Sequence, residues 1–284
     1  MHLQIMPASR VKRSSHARRA EAPQATKTPE IQPLPRWTRP RNGDQTAGAF
    51  CAAASLALFD QILRGGPDGA EPVFAGCLRH RLALKAADSC ARLSRLREDA
   101  AALRDAEHLA TGGETSPAGR LHRVFRLSAA QPARGDAGLL RAAAFLGLEA
   151  AIDSGALAEV AAAAPDPLTA AAQASAAATK LCAPATDAEI LAFVVADFAL
   201  ARRLDWPRPV PLLGVAILHP SLRRGAGDRA RRPRSTDNDW ADSVARAYGL
   251  AVVEAHARSP SIWRGGRKSF SPSRRCCARK TRVA

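Results

Sequence analysis

The stretch Pro72–Ala110, PVFAGCLRHRLALKAADSCARLSRLREDAAALRDAEHLA, carries the clearest structural signal in this 284-residue chain. Its apolar side chains recur in steps of three and four residues, the spacing that places them on one face of an α-helix. That face comprises Leu82, Ala86, Cys90, Leu93, Leu96, Ala100 and Leu103. The opposite face carries the oppositely charged pairs Asp88–Arg92 and Arg95–Asp99 at i,i+4 spacing. The pattern predicts one long helix, or two that meet near Asp88.

Helix start and stop signals recur on both sides of this stretch. Upstream, an apolar run predicts a helix over Phe50–Leu63, which a glycine-rich turn ends. Downstream, further helix starts are predicted at Ser116-Pro117, Asp136, Asp166-Pro167 and the capping box from Thr186 to Glu189. Alternating prolines predict that Trp206–Pro211 is extended, and a last helix is expected from about Asp237 to Ala255. We therefore predict eight or nine helices joined by short loops.

The composition favours a fold built from helices. Alanine and leucine, both strong helix formers, dominate, whereas aromatic residues make up only 5% of the chain. The Val, Ile and Thr runs that mark strands are scarce. We predict an all-α, irregular multi-helix bundle. Because no repeat of fixed length is present, a regular solenoid is not expected.

The positive charge is concentrated at the two ends of the chain. The formal net charge is +16, but residues 1–44 contribute +6 and residues 259–284 contribute +8, so the remaining body is nearly neutral at +2. We predict three segments: a disordered basic, proline-containing arm over residues 1–44, a helical domain over residues 45–256, and a disordered basic tail over residues 257–284. The overall basic character therefore does not by itself indicate a nucleic-acid binder.

The sequence predicts neither a membrane anchor nor an export signal. A membrane span needs about 20 mostly apolar residues, and the longest candidate, Ile190–Ala201, is interrupted by Asp197. The N-terminus lacks the apolar core of a signal peptide. The six cysteines form no C-x-x-C pair, and four of them lie in apolar helical contexts. We predict a protein of the reducing cytoplasm, with no membrane partner.

Few polar residues are spaced as a metal or catalytic site requires. Asp105, Glu107, His108 and His122 could be drawn as a metal cluster, but Asp105 and Glu107 lie on different sides of a helix. We interpret the four as a solvent-exposed face with a helix-end histidine, and we predict no metal site. The glycine-rich and nucleophile motifs of nucleotide-binding proteins and hydrolases are also missing. We therefore predict no catalytic residues and no cofactor.

Two acids, Asp60 and Asp197, interrupt otherwise apolar helices. A buried acid with a shifted pKa is a candidate functional residue. More often, however, such an acid lies at the edge of the apolar face or pairs with an arginine. We predict one of these two structural roles for both residues.

One basic cluster lies inside the body of the chain. Its candidate contacts to an anion or a nucleic acid are Arg223, Arg224, Arg229, Arg231, Arg232 and Arg234, and Asp228 is the only acid among them. Such a cluster can neutralise phosphates. Aromatic residues for base stacking are not interleaved with it, so the simpler interpretation is a solvated loop.

Three stretches resemble a known family. Gly48–Ala110, Ser116–Arg126 (SPAGRLHRVFR) and Ala201–Leu213 (ARRLDWPRPVPLL) are similar to the uncharacterised bacterial family called domain of unknown function 1403. The resemblance spans about residues 33–256. It implies no established activity, cofactor or catalytic residue. It also implies that the native chain continues beyond this point as a helix similar to LARRAEKLL.

The last 26 residues differ abruptly from the body, with eight basic residues, two adjacent cysteines and no acid. With GC-biased codons, the neighbouring reading frame from Ile262 gives DLARRAEKLLAVAPMLRAKDAR, which has a helical apolar pattern. We hypothesise that the chain is frameshifted near residue 257. The alternative is a genuine disordered basic tail. The gene sequence decides between them, because a stop codon soon after the shift would refute the frameshift.

The leading functional prediction is a non-catalytic helical interaction or scaffold protein of the bacterial cytoplasm, which binds a partner protein or itself. The alternative is an accessory nucleic-acid-binding protein that contacts phosphates through the Arg223–Arg234 loop and the N-terminal arm. An enzyme has no supporting constellation in the sequence.

Overall fold

Ten α-helices form the part of the chain that the computed structural model describes, which comprises residues 45–109, 115–225 and 230–268. They are α1 (Gln45–Leu63), α2 (Ala75–Leu93), α3 (Ala100–His108), α4 (Pro117–Ala130), α5 (Ala137–Phe145), α6 (Ser154–Ala163), α7 (Pro167–Leu181), α8 (Ala188–Arg203), α9 (Leu213–Ala216) and α10 (Trp240–Lys268). Within these ranges there is no strand, so the all-α prediction is confirmed. The predicted arm over residues 1–44, and residues 269–284 of the predicted tail, lie outside the described residues.

Helix α8 lies at the centre of the bundle. Every residue from Ile190 to Ala201 is buried, as expected of a helix that is apolar on nearly all sides. Helix α7 packs along it most extensively, and α5, α6 and α9 also contact it. Helix α10 packs against α1, α7 and α9. The core is therefore built around α8 rather than around the stretch with the clearest sequence signal.

Membrane insertion requires a long apolar helix. Among the helices of the described ranges, none combines the length and apolar content needed to cross a bilayer.

The proline-rich segment Trp206–Pro211 is anchored by a buried arginine of α2. Arg79 is 2% exposed, and its guanidinium donates hydrogen bonds to the carbonyl oxygens of Pro209 and Arg208, at 3.2 and 3.4 Å. The same guanidinium forms a two-pronged ion pair with Glu71. Because prolines remove backbone donors, these carbonyl groups depend on a side chain for their hydrogen bonds. None of the ten helices includes this segment, as predicted.

Asp60 of α1 binds the start of the same segment. The indole Nε1 of Trp206 donates to Asp60 Oδ1 at 2.6 Å, and Arg64 Nε lies 2.9 Å from both carboxylate oxygens. The Trp206 ring also packs edge-to-face on Phe59, with ring centroids 6.0 Å apart. The prediction that Asp60 pairs with an arginine is confirmed.

The predicted caps of α4 and α7 are confirmed. Ser116 Oγ accepts a hydrogen bond from the backbone N–H of Gly119 at 3.2 Å. The Asp166 carboxylate accepts from the backbone N–H groups of Leu168 and Thr169, both at 2.9 Å. Each cap satisfies donors that the first turn of its helix leaves without an intrahelical partner.

The predicted capping box of α8 is wrong. The residue before the first turn is Asp187, whose side chain makes no cap hydrogen bond. Glu189, the other member of the box, forms a two-pronged ion pair with Arg232 instead. The Glu189 carboxylate is therefore held by a residue from a distant segment of the chain rather than by the first turn of its own helix.

Helices α2 and α3 are separated by a break over residues 94–99, later than the predicted meeting point near Asp88. Arg95 adopts a left-handed backbone conformation with φ of 55°, and Asp99 caps α3 through its side chain. The predicted helical pair Arg95–Asp99 is therefore wrong, because both residues lie in the break. The predicted pair Asp88–Arg92 is confirmed at 3.1 Å.

Helix α10 continues to Lys268, past the end predicted near Ala255. No packing period is visible in the sequence beyond Arg258, and the predicted helix therefore ended before it. In the structure the helical backbone continues through Pro260, which lacks one backbone donor. The division between the helical domain and the tail at residue 257 stays a prediction.

Arg79→Met is expected to lower the free energy of unfolding by about 3 kcal/mol, because it leaves Glu71 and two backbone carbonyl groups without their donor. Urea denaturation followed by circular dichroism measures this change. The matched control is Arg92→Met, which removes a 73% exposed arginine of the same helix and should change stability much less. Equal losses in the two variants would contradict the anchoring role of Arg79.

Candidate functional site

Helix α1 has an exposed face that is apolar. The helix contains no charged residue before Asp60. Leu56 is buried, whereas Phe50, Ala53 and Ala57 are exposed and follow one another in steps of three and four residues. Phe50 is 64% exposed, an unusual position for a phenylalanine. Contiguous exposed apolar surface of this kind marks binding sites.

This face forms one wall of a groove of about 470 Å³. The first turns of α7 and α10, together with Leu204, complete the lining. Among the described lining residues, the two ionisable ones are both acids, Asp166 and Asp242. Burial works against ionisation of Asp166, but hydrogen bonds from Thr169 and Leu168 outweigh it and lower the pKa of Asp166. The groove therefore combines apolar walls with negative charge.

The arginine loop is held against the body by ion pairs. Arg232 forms the two-pronged pair with Glu189 of α8. Arg231 Nη1 lies 2.8 Å from Asp237 Oδ2. The backbones of Arg224 and Arg231 exchange two hydrogen bonds of 2.8 Å, which fixes the base of the loop.

The remaining arginines of the predicted cluster lie in different environments. Arg224 pairs with Asp239, whereas Arg223 and Arg234 are exposed. Arg229 lies outside the described residues. Three of the five described arginines thus face carboxylates of the same chain, which reduces the charge available to phosphates. The hypothesis of phosphate contact through this loop stays a prediction, and the described contacts do not add to it.

A buried polar cluster lies where α3 packs against α4. Glu107, His108 and His122 each bring one potential ligand atom to within 4.8 Å of the others. The side chains of Glu107 and His122 are 1% and 5% exposed, whereas His108 is exposed. Arg126 donates Nε and Nη2 to Glu107 Oε1, at 2.9 and 2.5 Å. The cluster therefore joins two helices through ionisable side chains.

The protonation and alignment of His122 decide what this cluster can do. Burial lowers the pKa of His122, and the nearby Glu107 carboxylate opposes this only in part. The lowered pKa favours the neutral imidazole, the form in which a histidine can bind a metal. Its Nδ1 lies 2.7 Å from Glu107 Oε2, but the two atoms are not aligned as a hydrogen bond. Within the described residues, neither atom has another hydrogen-bond partner.

This arrangement corrects the interpretation of these residues as a solvent-exposed face. The interpretation holds for His108, which is exposed at the end of α3, and Asp105 is half-buried, but Glu107 and His122 are buried. No single-helix spacing reveals the cluster, because Glu107 and His122 come from successive helices. One pattern in the sequence could have indicated it. His122 and Arg126 lie one turn apart on the same face of α4, and the preceding helix carries in its last turn an acid, Glu107, that could pack against that face.

Asp197 lies in the middle of α8 and is 3% exposed. Its Oδ1 accepts hydrogen bonds from the backbone N–H of Leu213 at 3.1 Å and from the Tyr248 hydroxyl at 3.0 Å, while its Oδ2 has no partner among the described residues. Burial raises the pKa of Asp197 to about 8. The prediction of an edge position or an arginine partner is wrong for this residue. It is a buried neutral acid that connects α8 with α9 and α10.

The raised pKa of Asp197 predicts how stability depends on pH. The folded chain holds the Asp197 proton more tightly than the unfolded chain. The protonated carboxyl therefore contributes fully to the free energy of unfolding below about pH 4, and this contribution is lost as the pH rises through about 8. Asp197→Asn, which mimics the neutral acid, should unfold with similar free energy to the native chain at pH 4 and be more stable, by up to several kcal/mol, at pH 9. Urea denaturation midpoints of the native chain and of Asp197→Asn, measured from pH 4 to pH 9, test this prediction. A difference in stability between the two proteins that does not change with pH would contradict a raised pKa of Asp197.

The fold and these sites define a helical protein that presents an apolar groove and a buried polar cluster. The model of the family described as "Protein of unknown function (DUF1403)" matches residues 22–268, and the chain belongs to this family. The match confirms the resemblance and extends it beyond residues 33–256 at both ends. Comparison with curated proteins and with solved structures gives no match. The family description assigns no activity, and the frameshift near residue 257 stays a hypothesis for the gene sequence to test.

Proposed function

We propose that this chain is a non-catalytic interaction protein whose groove binds an amphipathic helix of a partner protein, with basic residues flanking the apolar side of that helix. The observation that carries the proposal is the exposed apolar face of α1 at Phe50, Ala53 and Ala57. Apolar side chains on a soluble helix normally face the core. The exposure of three apolar residues on the same face of α1 is explained if an apolar surface of a partner protein packs against that face.

The size and shape of the groove favour a helix as the occupant. A volume of about 470 Å³ holds a few apolar side chains rather than a whole protein surface. An amphipathic helix inserts side chains spaced three and four residues apart into grooves of this kind. The aromatic ring of Phe50, 64% exposed at the groove, is the type of side chain that dominates binding energy when it becomes buried.

The charge of the groove favours a basic partner. Its ionisable lining residues, among those described, are Asp166 and Asp242. A lysine or arginine beside the apolar anchors would pair with these carboxylates. Such pairs contribute more to partner selection and association rate than to affinity.

We also propose that the protein works in the cytoplasm. The four described cysteines, Cys51, Cys77, Cys90 and Cys182, form no disulfide bond. Thiols persist in reducing compartments. Cys90 and Cys182 are buried, where a thiol behaves as a small apolar side chain. Fractionation of cells that express the native gene tests the location, and recovery in a secreted fraction would contradict it.

Phe50→Asp should weaken binding of a basic amphipathic helix at least tenfold, because it places a charge where an apolar anchor docks. The probe is a fluorescein-labelled synthetic peptide of leucines and lysines in helical register, titrated with the full chain and followed by fluorescence anisotropy. Leu140→Asp is the matched control, since Leu140 is 42% exposed on α5, away from the groove. The control should bind the peptide as the native chain does.

A second peptide, with glutamates in place of the lysines, tests the role of the acids. The chain's net charge of +16 attracts this acidic peptide and repels the basic one, so a preference for the basic peptide reports the local carboxylates. The proposal would be overturned if the native chain bound the two peptides equally well, or if Phe50→Asp bound the basic peptide as tightly as the native chain does. A dimer of the native chain that Phe50→Asp converts to monomer would also overturn it, by assigning the groove to a second copy.

A further inference from the structure

Glu107 Oε2 and His122 Nδ1 are close neighbours that have no hydrogen bond to any described residue. Both side chains are at least nineteen-twentieths buried, at 1% and 5% exposure, and the two atoms face each other across 2.7 Å. Within the described residues, neither forms a hydrogen bond. Buried polar atoms without hydrogen bonds are rare and costly, and each one calls for an explanation. A cation between the two atoms would satisfy both lone pairs.

We propose that Glu107, His108 and His122 bind a divalent transition-metal ion, for which Zn²⁺ is the appropriate probe. Two imidazoles and one carboxylate form a ligand set typical of zinc and its neighbours. Magnesium and calcium prefer sites made of oxygen atoms, which this cluster does not provide. The site is separate from the groove, since it uses α3 and α4 rather than α1, α7 and α10.

The distances are compatible with a tetrahedral ion after a small movement. Metal–ligand bonds of about 2.1 Å place the ligand atoms of such a site roughly 3.4 Å apart. The 2.7 Å between Glu107 Oε2 and His122 Nδ1 must lengthen, and His108 must move to bring its ligand atom, which lies within 4.8 Å of the other two, to the same spacing. His108 is exposed in the last turn of α3, with its ring centroid 6.0 Å from that of His122, so its side chain can move without disturbing the core. Three protein ligands leave the fourth position for water.

Arg126 would orient the carboxylate ligand. Its two hydrogen bonds to Glu107 Oε1 direct Oε2 towards His122. Carboxylates that bind metals are commonly held in this way by a partner on their other oxygen. The positive charge of Arg126 also opposes a cation, as does Arg123, whose Nε lies 3.7 Å from Oε1. We therefore expect a modest affinity rather than the very tight binding of a structural zinc site.

The test is calorimetric titration of Zn²⁺ into the untagged, metal-stripped full chain. Cys276→Ser and Cys277→Ser are included in every sample, because adjacent thiols outside the described residues can also bind zinc. We expect one Zn²⁺ per chain, no detectable Mg²⁺ binding, and a Co²⁺ spectrum without a thiolate charge-transfer band. Zn²⁺ should also raise the thermal unfolding temperature.

His108→Ala is the decisive variant, because its exposed side chain can be removed without opening the core. It should weaken Zn²⁺ binding at least tenfold, abolish the thermal shift, and leave the metal-free unfolding temperature unchanged. His219→Ala, which removes an exposed histidine outside the cluster, is the control and should bind as the parent does. The proposal is overturned if the parent binds no Zn²⁺, if His108→Ala binds it equally well, or if His219→Ala loses it. None of these results bears on peptide binding in the groove, so the two proposals fail separately.

Discussion

An alanine side chain buries little area, so a core lined with alanine gains stability only where many helices approach one another closely. Two glycines make that approach possible. A Cβ atom at Gly138 would lie 2.8 Å from the ring of Phe198, and one at Gly214 would lie 3.0 Å from Ala86 Cβ and 3.2 Å from the Phe125 ring. Helices α5 and α9 can therefore lie directly on their neighbours. The burial of α8 from Ile190 to Ala201 is the result of close packing on several sides.

Features whose cause lies within a few residues could be predicted from the sequence. Ser116 and Asp166 cap their helices as expected, because the side chain and the donor it satisfies are two or three positions apart. Glu189 has the same local signal, yet it pairs with Arg232, 43 positions away. Nothing near Glu189 in the sequence indicates that competitor. The helix break after α2 does carry a local signal, because the Asp99 side chain accepts a hydrogen bond from the backbone N–H of Ala102 and so caps α3.

The candidate sites depended still more on contacts between helices. Spacing along one helix correctly separated Asp105 from Glu107, but it gave no information on the face of α4 that meets Glu107. Asp197 was recognisable as an acid in an apolar helix, but the sequence alone could not show that Leu213 and Tyr248, rather than an arginine, donate hydrogen bonds to its carboxyl group. The exposed face of α1 was not predicted either, because an apolar run in the sequence does not indicate which of its side chains are buried by other helices and which are exposed to solvent. In each case the missing information was the identity of the neighbouring helix.

Helix α2 carries two thiols with opposite environments, which gives the chain an internal reporter of its own opening. Cys77 is exposed, whereas Cys90 is buried and its burial raises the pKa of the thiol, so the reactive thiolate is suppressed there. An alkylating reagent would label Cys77 in the native state and Cys90 only when α2 leaves the core. Mass spectrometry of the two labels would then distinguish local fraying from cooperative unfolding without any introduced probe.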